Sequence, residues 1–278
     1  MSAYYNEHDP HAAAWLRELI SDGRIAPGEV DERSVADVSA GDLAGFTQCH
    51  FFAGIGGWSL ALRLAGWPDD RPVWTGSCPC QPFSNAGAQT GGDDPRHLWP
   101  AWFKLIAECR PPTIFGEQVS AAVRHGWLDL VSSDMEASGY AVGAVIAGAH
   151  SAGAPHLRQR LWFVAMGHAS SERLQGRNGK DVSGAGRRDE RRSVASASPW
   201  SDLVWLPCRD GKARPAQPGI QPLVARLSRG VVPSGDPSAS EANNAAEARV
   251  MRLKGYGNAI VPQVAAAFLS AYMDDADV

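Results

Sequence analysis

The chain has 278 residues with 26 Lys and Arg against 30 Asp and Glu, a net charge of -4, so it is long enough to bury a large core and is not a uniformly basic nucleic-acid binder. Its apolar content of 44% and charged content of 20% are ordinary for a globular protein. No apolar run reaches the roughly 18 residues of a membrane span, and the polar start "MSAYYNEHDP" is not a signal peptide, so a cytoplasmic protein without a membrane partner is expected.

In chain order, "DPHAAAWLRELISDG" carries Ala12, Ala13, Trp15, Leu16, Leu19 and Ile20 at helical spacing, with Gly23 suited to its end. "TQCHFFAGIGGWSLALRLAGW" reads as a strand, a glycine turn and a helix closed by Gly66. "RPVWTGSCPCQ" follows as a strand and loop, "LWPAWFKLIAEC" as a helix, "PPTIFGEQV" as a strand with a polar end and "GWLDLVSSDMEASG" as a helix. "YAVGAVIAGA" and "RLWFVAM" are two more strands. Strands alternating with helices predict an α/β fold with a doubly wound, mostly parallel sheet, in which ligands bind beyond the carboxyl ends of the strands. The pattern breaks after residue 167. From His168 to Gly230 there are twelve Lys and Arg against six Asp and Glu, a net of +6 in a chain whose remainder carries -10. This segment reads as irregular, either a solvated loop or a contact for a polyanion. Regularity returns in "AAEARVMRLKGYGNAIVPQVAAAFLSAYM", where Pro262 suits the first turn of a last helix.

Several short stretches could carry chemistry. Gly54, Gly56 and Gly57 stand between a strand and a helix, as a plain turn or as a close backbone approach to a ligand. The Lys and Ser or Thr of a phosphate-binding loop are missing, so a nucleoside cofactor without a phosphate chain fits better. In "SCPCQPFS", Pro79 and Pro82 stiffen the loop around Cys80 at a strand's carboxyl end. Five cysteines, an odd number, favour reduced thiols over a disulfide framework, and two cysteines one residue apart do not complete a zinc site, so no metal is expected. Glu117 ends another strand, as a helix cap, a surface charge or an acid beside the thiol. Arg158 and Arg160 in "HLRQRLWFV" are two residues apart before a strand and so point to one side, as a salt-bridged edge or as an anion or base contact.

Taken together in this order, the motifs resemble those of the DNA (cytosine-5)-methyltransferases. "FFAGIGG" is similar to that family's first motif, "PCQPFS" to the nucleophile motif, "GEQV" to the Glu-Asn-Val motif, "HLRQR" to the Gln-x-Arg-x-Arg motif and "GYGNAIVPQVAAAF" to the last motif. His50, Gln118 and His156 depart from the family's usual Asp, Asn and Gln. The resemblance implies a Rossmann-like catalytic domain over residues 1–166, a small, irregular, basic target recognition domain over 167–248, and a return to the catalytic domain over 249–278. It further implies a monomer that transfers methyl from S-adenosyl-L-methionine to carbon 5 of a cytosine flipped out of double-stranded DNA. Cys80 is then the nucleophile, Glu117 the partner of the cytosine ring, and Arg158 and Arg160 supply positive potential. Phe52, Gly54, Gly56, Gly57, Pro79 and Asn258 would line the cofactor site. An RNA cytosine-5 methyltransferase and a catalytically silent DNA-binding homologue are the alternatives.

Pro79 comes only 22 positions after Gly57, where the family normally inserts two further strand and helix units. "YYNEHDPHAAAWLREL" resembles its ribose-binding unit, with Glu7, and "GEVDERSVADV" its adenine-binding unit, with Asp31. The chain is thus expected to be a permuted methyltransferase, with those units ahead of the first motif. The competing assignment gives the ribose to Asp69 or Asp70. Cys78 is expected to be a strand-end filler.

Overall fold

Alternating apolar strands and amphipathic helices build an open sheet in the computed structural model, which describes residues 2–79, 98–154, 156–167, 204–207, 213–216, 255 and 257–276. Strand β1 (Ser2–Asn6) leads into α1 (Pro10–Ser21). Asp9 sets the start of this helix by accepting hydrogen bonds from the backbone N–H groups of His11 and Ala12, and Pro10 occupies a first-turn position that needs no donor. Next comes β2 (Gly28–Asp31), followed by two short 3-10 turns in place of a helix. The chain continues through β3 (Phe46–Phe51), α2 (Gly57–Leu64), β4 (Val73–Gly76), α3 (Trp99–Cys109) and β5 (Thr113–Val119). It then runs through α4 (Trp127–Ala137), β6 (Tyr140–Ala147) and β7 (Arg160–Gly167). In the expected recognition segment the described residues form two strands, β8 (Val204–Pro207) and β9 (Ala213–Ala216), paired antiparallel; its other residues lie outside those described. The last helix is α5 (Pro262–Ala276), with Pro262 in its first turn.

The seven-stranded sheet has the order β2-β1-β3-β4-β5-β7-β6, parallel from β2 to β5, with β7 antiparallel to both its neighbours. The expected doubly wound, mostly parallel, Rossmann-like sheet is therefore present. The strand-turn-helix unit around Gly54 is third in the chain and lies inside the sheet, between β1 and β4. Its helix α2 leads directly to the adjacent parallel strand β4, one strand-helix-strand unit spanning neighbours.

Because both faces are covered, the central strands are buried along nearly their whole length instead of alternating between buried and exposed. On one face, Phe51, Trp74, Ile114 and Phe163 pack against Trp99 and Trp102 of α3 and Trp127 of α4. On the other, Phe115, Trp162 and Val164 meet Trp58 of α2 and Val264, Ala265 and Leu269 of α5, while Tyr5 meets Leu16 of α1. Buried polar groups are largely satisfied. The Tyr5 hydroxyl donates to the carbonyl of Ala26 at 2.7 Å, so Ser59 Oγ, 3.0 Å from Tyr5, gives it a proton and accepts one from the Ala26 N–H. Trp99 Nε1 donates to Asp134 at 2.7 Å.

His50 is an exception. Its Nδ1 lies 2.7 Å from Thr75 Oγ1 and its ring 4.9 Å from that of Tyr5, whereas Nε2 is buried without a partner. Burial pushes its pKa down from 6.5 to about 3, so the folded chain holds a neutral imidazole. As the folded value lies below the unfolded one, no penalty exists above pH 6.5. Below it the unfolded chain takes up a proton that the folded chain refuses, and stability falls by up to about 1.4 kcal/mol per pH unit towards pH 3. Urea unfolding from pH 7 to 4 should therefore show a shallower loss of stability for His50→Gln than for the native sequence. Equal slopes would show that His50 does not contribute.

Candidate active site

Parallel strands deliver their carboxyl ends to one rim, and most of the residues singled out from the sequence stand there. Glu7 follows β1, Asp31 ends β2, Phe52 and Gly54 follow β3, Ser77 to Pro79 follow β4, and Glu117 is near the end of β5. Arg160 opens β7, which runs antiparallel and therefore starts at the same rim. Asp69 and Asp70 fall before β4, at the opposite rim, and Asp69 is paired with Arg63 at 2.7 Å. Of the acids considered for a ribose, Glu7 alone reaches the glycine turn.

One cluster forms around that turn. Glu7 Oε2 accepts a hydrogen bond from the Gly54 N–H at 2.7 Å and Oε1 one from the Asp9 N–H at 2.9 Å. The Ala53 N–H donates to the carbonyl of Asn6, closing the turn against β1. Phe52 has φ +52°, a left-handed conformation that costs a non-glycine residue roughly 1–2 kcal/mol. It turns the Phe52 ring edge-on to Trp102, with centroids 5.9 Å apart. The three glycines differ in what they face. A Cβ on Gly54 would meet only open space, one on Gly56 would press on Ile25 and Leu16, and one on Gly57 would lie 2.7 Å from Ile260. Gly54 thus borders the rim, while Gly56 and Gly57 allow close packing behind it.

Asp31 stands one strand further out, in a separate group. Its carboxylate takes a bidentate contact from Arg33, at 2.7 Å from Nη2, and a hydrogen bond from Tyr4 at 2.7 Å, which together hold its pKa below the usual range against the effect of burial.

The second cluster surrounds Glu117, which is 8% exposed. Arg160 Nε donates to Glu117 Oε1 at 2.8 Å. Burial raises the Glu117 pKa, and Arg160, Ser77 and Arg158 oppose that rise. Arg158 reaches this cluster differently from the expected strand alternation. It precedes β7, has φ +30°, and its Nη2 donates to the carbonyls of Gly257 at 2.7 Å and Ala259 at 2.6 Å. That guanidinium clamps the backbone on both sides of Asn258, whose side chain is exposed. Burial and the neighbouring Arg160 lower the Arg158 pKa.

Cys80 lies outside the described residues; the strand end that leads to it does not. Gln118 Nε2 donates to the carbonyl of Cys78 at 2.8 Å while its Oε1 accepts from the Val119 N–H, so the Gln that replaces the family's Asn pins the backbone two residues before Cys80. Cys78 is buried in the core that includes α3, 2% exposed, as a filler. Two further residues escaped the sequence reading. Ser77 follows Gly76, which pairs with Gly116, so it stands beside Glu117 and within hydrogen-bonding reach of its carboxylate. Trp58 Nε1 donates to Ser77 Oγ at 3.1 Å. Strand alternation, which puts Thr75 and Ser77 on the α2 face, was the one signal available.

Residues 67–191 match the profile of the C-5 cytosine-specific DNA methylases, a range that holds "PCQPFS", "GEQV" and "HLRQR". Over that range the chain is similar to the C-5 cytosine-specific DNA methylases. Among curated relatives, the Type II methyltransferase M.NgoMIV of Neisseria gonorrhoeae is 27% identical over 161 residues, 44% of this chain and 52% of the relative. M.AplI of Arthrospira platensis is 33% identical over 108 residues, 38% of this chain and 30% of the relative. The matched stretch thus spans about half or less of each. Among solved structures, S. pombe Dnmt2 methyltransferase aligns with a TM-score of 0.39 at 13% identity, over 76% of this chain and 65% of that one.

The Glu117–Arg160 pair has a consequence for stability. The two side chains are 10% and 22% exposed, so removing the guanidinium strands a desolvated carboxyl group. At neutral pH, Arg160→Ala should destabilise the protein by about 3 kcal/mol. Adding Glu117→Gln should recover part of that loss, as read by urea unfolding of both single variants and the double variant. A double variant less stable than Arg160→Ala alone would contradict it.

Proposed function

We propose that the chain transfers a methyl group from S-adenosyl-L-methionine to carbon 5 of a cytosine flipped out of double-stranded DNA, through a covalent adduct on Cys80. The observation that carries this reading is the buried Glu117 carboxyl, paired with Arg160 at the strand end beside the one that runs into Pro79 and Cys80.

Carbon 5 of cytosine is a weak nucleophile until a thiolate adds at carbon 6. A free thiol has a pKa near 8.5, so Cys80 needs help to ionise, and the positive potential of Arg158 and Arg160 provides it. Glu117, its pKa raised by burial, hydrogen-bonds the ring nitrogen and exocyclic amine, and that bond strengthens as charge develops on the ring. Once carbon 5 carries its new methyl group, loss of the carbon-5 proton expels the Cys80 thiolate. The bound cofactor supplies a methyl group on a sulfonium centre.

The chain's own residues fit such a cofactor. Gly54 borders open space, the Glu7 carboxylate beside it keeps lone pairs for hydroxyl donors, and Phe52 adds an aromatic edge. In this reading β1 and β2 are the family's second and third cofactor-binding units, placed before its first. The Glu7–Gly54 hydrogen bond supports that assignment, since it joins the acid after β1 to the turn after β3. Gly56, Gly57, Pro79 and Asn258 then shape the pocket from behind and from the side.

Three variants separate the roles. Cys80→Ser should abolish methyl transfer to duplex DNA and the trapped adduct on 5-fluorocytosine DNA, with the unfolding transition unchanged. Glu7→Ala should weaken cofactor binding in calorimetry by about 10-fold or more, the weight of one charged hydrogen bond. Glu117→Gln should bind cofactor normally and lose transfer. Methylation of transfer RNA but not duplex DNA would replace the DNA substrate with RNA. Failure of the native protein to form any adduct would sink the covalent reading.

A further inference from the structure

We propose that Trp58 and Ser77 form a two-residue positioning relay that fixes the orientation of the Glu117 carboxyl group and ties it to the helix carrying the glycine turn. This inference rests on the role assigned to Glu117 above.

Donor accounting gives the relay a single direction. An indole nitrogen only donates, so in the 3.1 Å bond from Trp58 Nε1 to Ser77 Oγ the serine oxygen must accept. The serine's own hydroxyl proton is thereby freed to point elsewhere, and Glu117 is within its reach. Backbone register brings the two together independently of any titration: Gly76 pairs with Gly116, and the next residues on each strand are Ser77 and Glu117. The serine is thus placed to donate to a carboxylate that already accepts from Arg160 at 2.8 Å. With two fixed donors converging on it, the carboxyl group is restricted in rotation.

Trp58 is itself immobilised. Its ring meets Trp162 edge-on at 5.7 Å and stacks near Phe115 at 6.4 Å, and it is 3% exposed. Trp162 pairs in register with Glu117 across β5 and β7. Trp58 also directly follows Gly57 at the start of α2. A displacement of the glycine turn would therefore move the indole, and with it the hydroxyl that holds Glu117. Phenylalanine at position 58 would keep the packing and lose the N–H; glycine or alanine at position 77 would break the connection.

The relay's effect on Glu117 has a definite sign. Donation from Ser77 favours the ionised carboxylate, so its removal raises the Glu117 pKa further above the ordinary value. Among the described residues, the charged groups facing Glu117 are Arg160 and Arg158, both cationic, and neither is altered in the test.

The experiment uses the full chain as the native sequence, Ser77→Ala, Ser77→Thr, Trp58→Phe and the Ser77→Ala/Trp58→Phe double variant. Carbon-13 NMR follows the Glu117 carboxyl through a pH titration, with Glu117→Gln assigning the signal. The midpoint should rise by about one pH unit or more in Ser77→Ala, the size of one hydrogen bond to a charged group. It should rise less in Trp58→Phe, return towards the native value in Ser77→Thr, and rise no further in the double variant than in Ser77→Ala, because one chain is cut at either link. In parallel, kcat on duplex DNA should fall about tenfold in Ser77→Ala while KM for S-adenosyl-L-methionine stays within twofold, and the alkaline limb of the kcat profile should move up with the NMR midpoint. Midpoints unchanged in Ser77→Ala, or strictly additive shifts from the two links, would overturn the relay. The titration needs no methyl transfer, so shifted midpoints in a protein that methylates no DNA would remove the functional reading and leave the relay standing.

Discussion

A carboxyl group carried to the buried end of β5 is the constraint around which the rim is built. Desolvating a carboxylate costs several kcal/mol unless donors replace the lost water, and Glu117 collects its donors from neighbouring strands. Arg160 comes from β7, which can reach because it runs antiparallel and starts where β5 ends. Ser77 comes from β4, held in register by the Gly76–Gly116 pair. Arg158, one residue before Gln159, turns into a left-handed conformation that frees its guanidinium to hold the segment 257–259, and so links α5 to the same cluster. The last helix is fixed a second time where Ile260 fills the space above Gly57. Removing the need to stabilise Glu117 would leave few of these contacts with a purpose.

The glycine turn answers a different demand. Its backbone must turn sharply from β3 into α2 while leaving one side open and packing tightly on the other. Gly54 serves the open side, and Gly56 and Gly57 serve the packed side, where Ile25, Leu16 and Ile260 leave no room for a Cβ. Glu7 stabilises the turn by accepting the Gly54 N–H, so the acid from β1 holds the turn's shape and remains at the rim. The left-handed Phe52 stores strain at this position, which the hydrogen bonds around it offset.

How much of this was legible in the sequence depends on range. Apolar periodicity marked α1 and the strands and helices from β3 to β7, since burial on two faces and amphipathic helices leave local signatures, whereas β1 and β2 were legible only through the resemblance. The motif order marked the rim, because strand ends in a parallel sheet share one edge. Contacts set by long-range packing were not legible. Nothing in "HLRQR" announces that Arg158 leaves the strand geometry on which the two-residue argument for Arg158 and Arg160 relied. Nothing in "GEVDER" distinguishes an Asp31 free to meet a ligand from one paired to Arg33 two residues on. The Trp58–Ser77 bond joins residues whose proximity depends on how α2 lies over the sheet, and the 3-10 turns after β2 replace a helix because their short apolar anchors, Val35, Val38 and Leu43, suffice to cover that face.

The position of the glycine-turn unit follows from the same geometry. In a parallel sheet each strand-helix unit delivers its carboxyl end to the rim, whatever its place in the chain, so rim chemistry depends on which strands are neighbours and not on their sequence order. Here β1 lies beside β3 and β3 beside β4, which places the acid, the turn and the strand leading to Cys80 in consecutive positions although the acid comes first in the chain. A chain with the order β3, β1, β2, β4 would step from β3 to its neighbour β1 but would then have to pass both β1 and β3 on the way from β2 to β4. In the order present here α1 joins β1 to its neighbour β2, the step from β2 to β3 passes β1 alone, and α2 joins β3 to its neighbour β4. The 22-residue step from Gly57 to Pro79, anomalous when set against the usual order of units, is the length one helix needs to reach the adjacent strand.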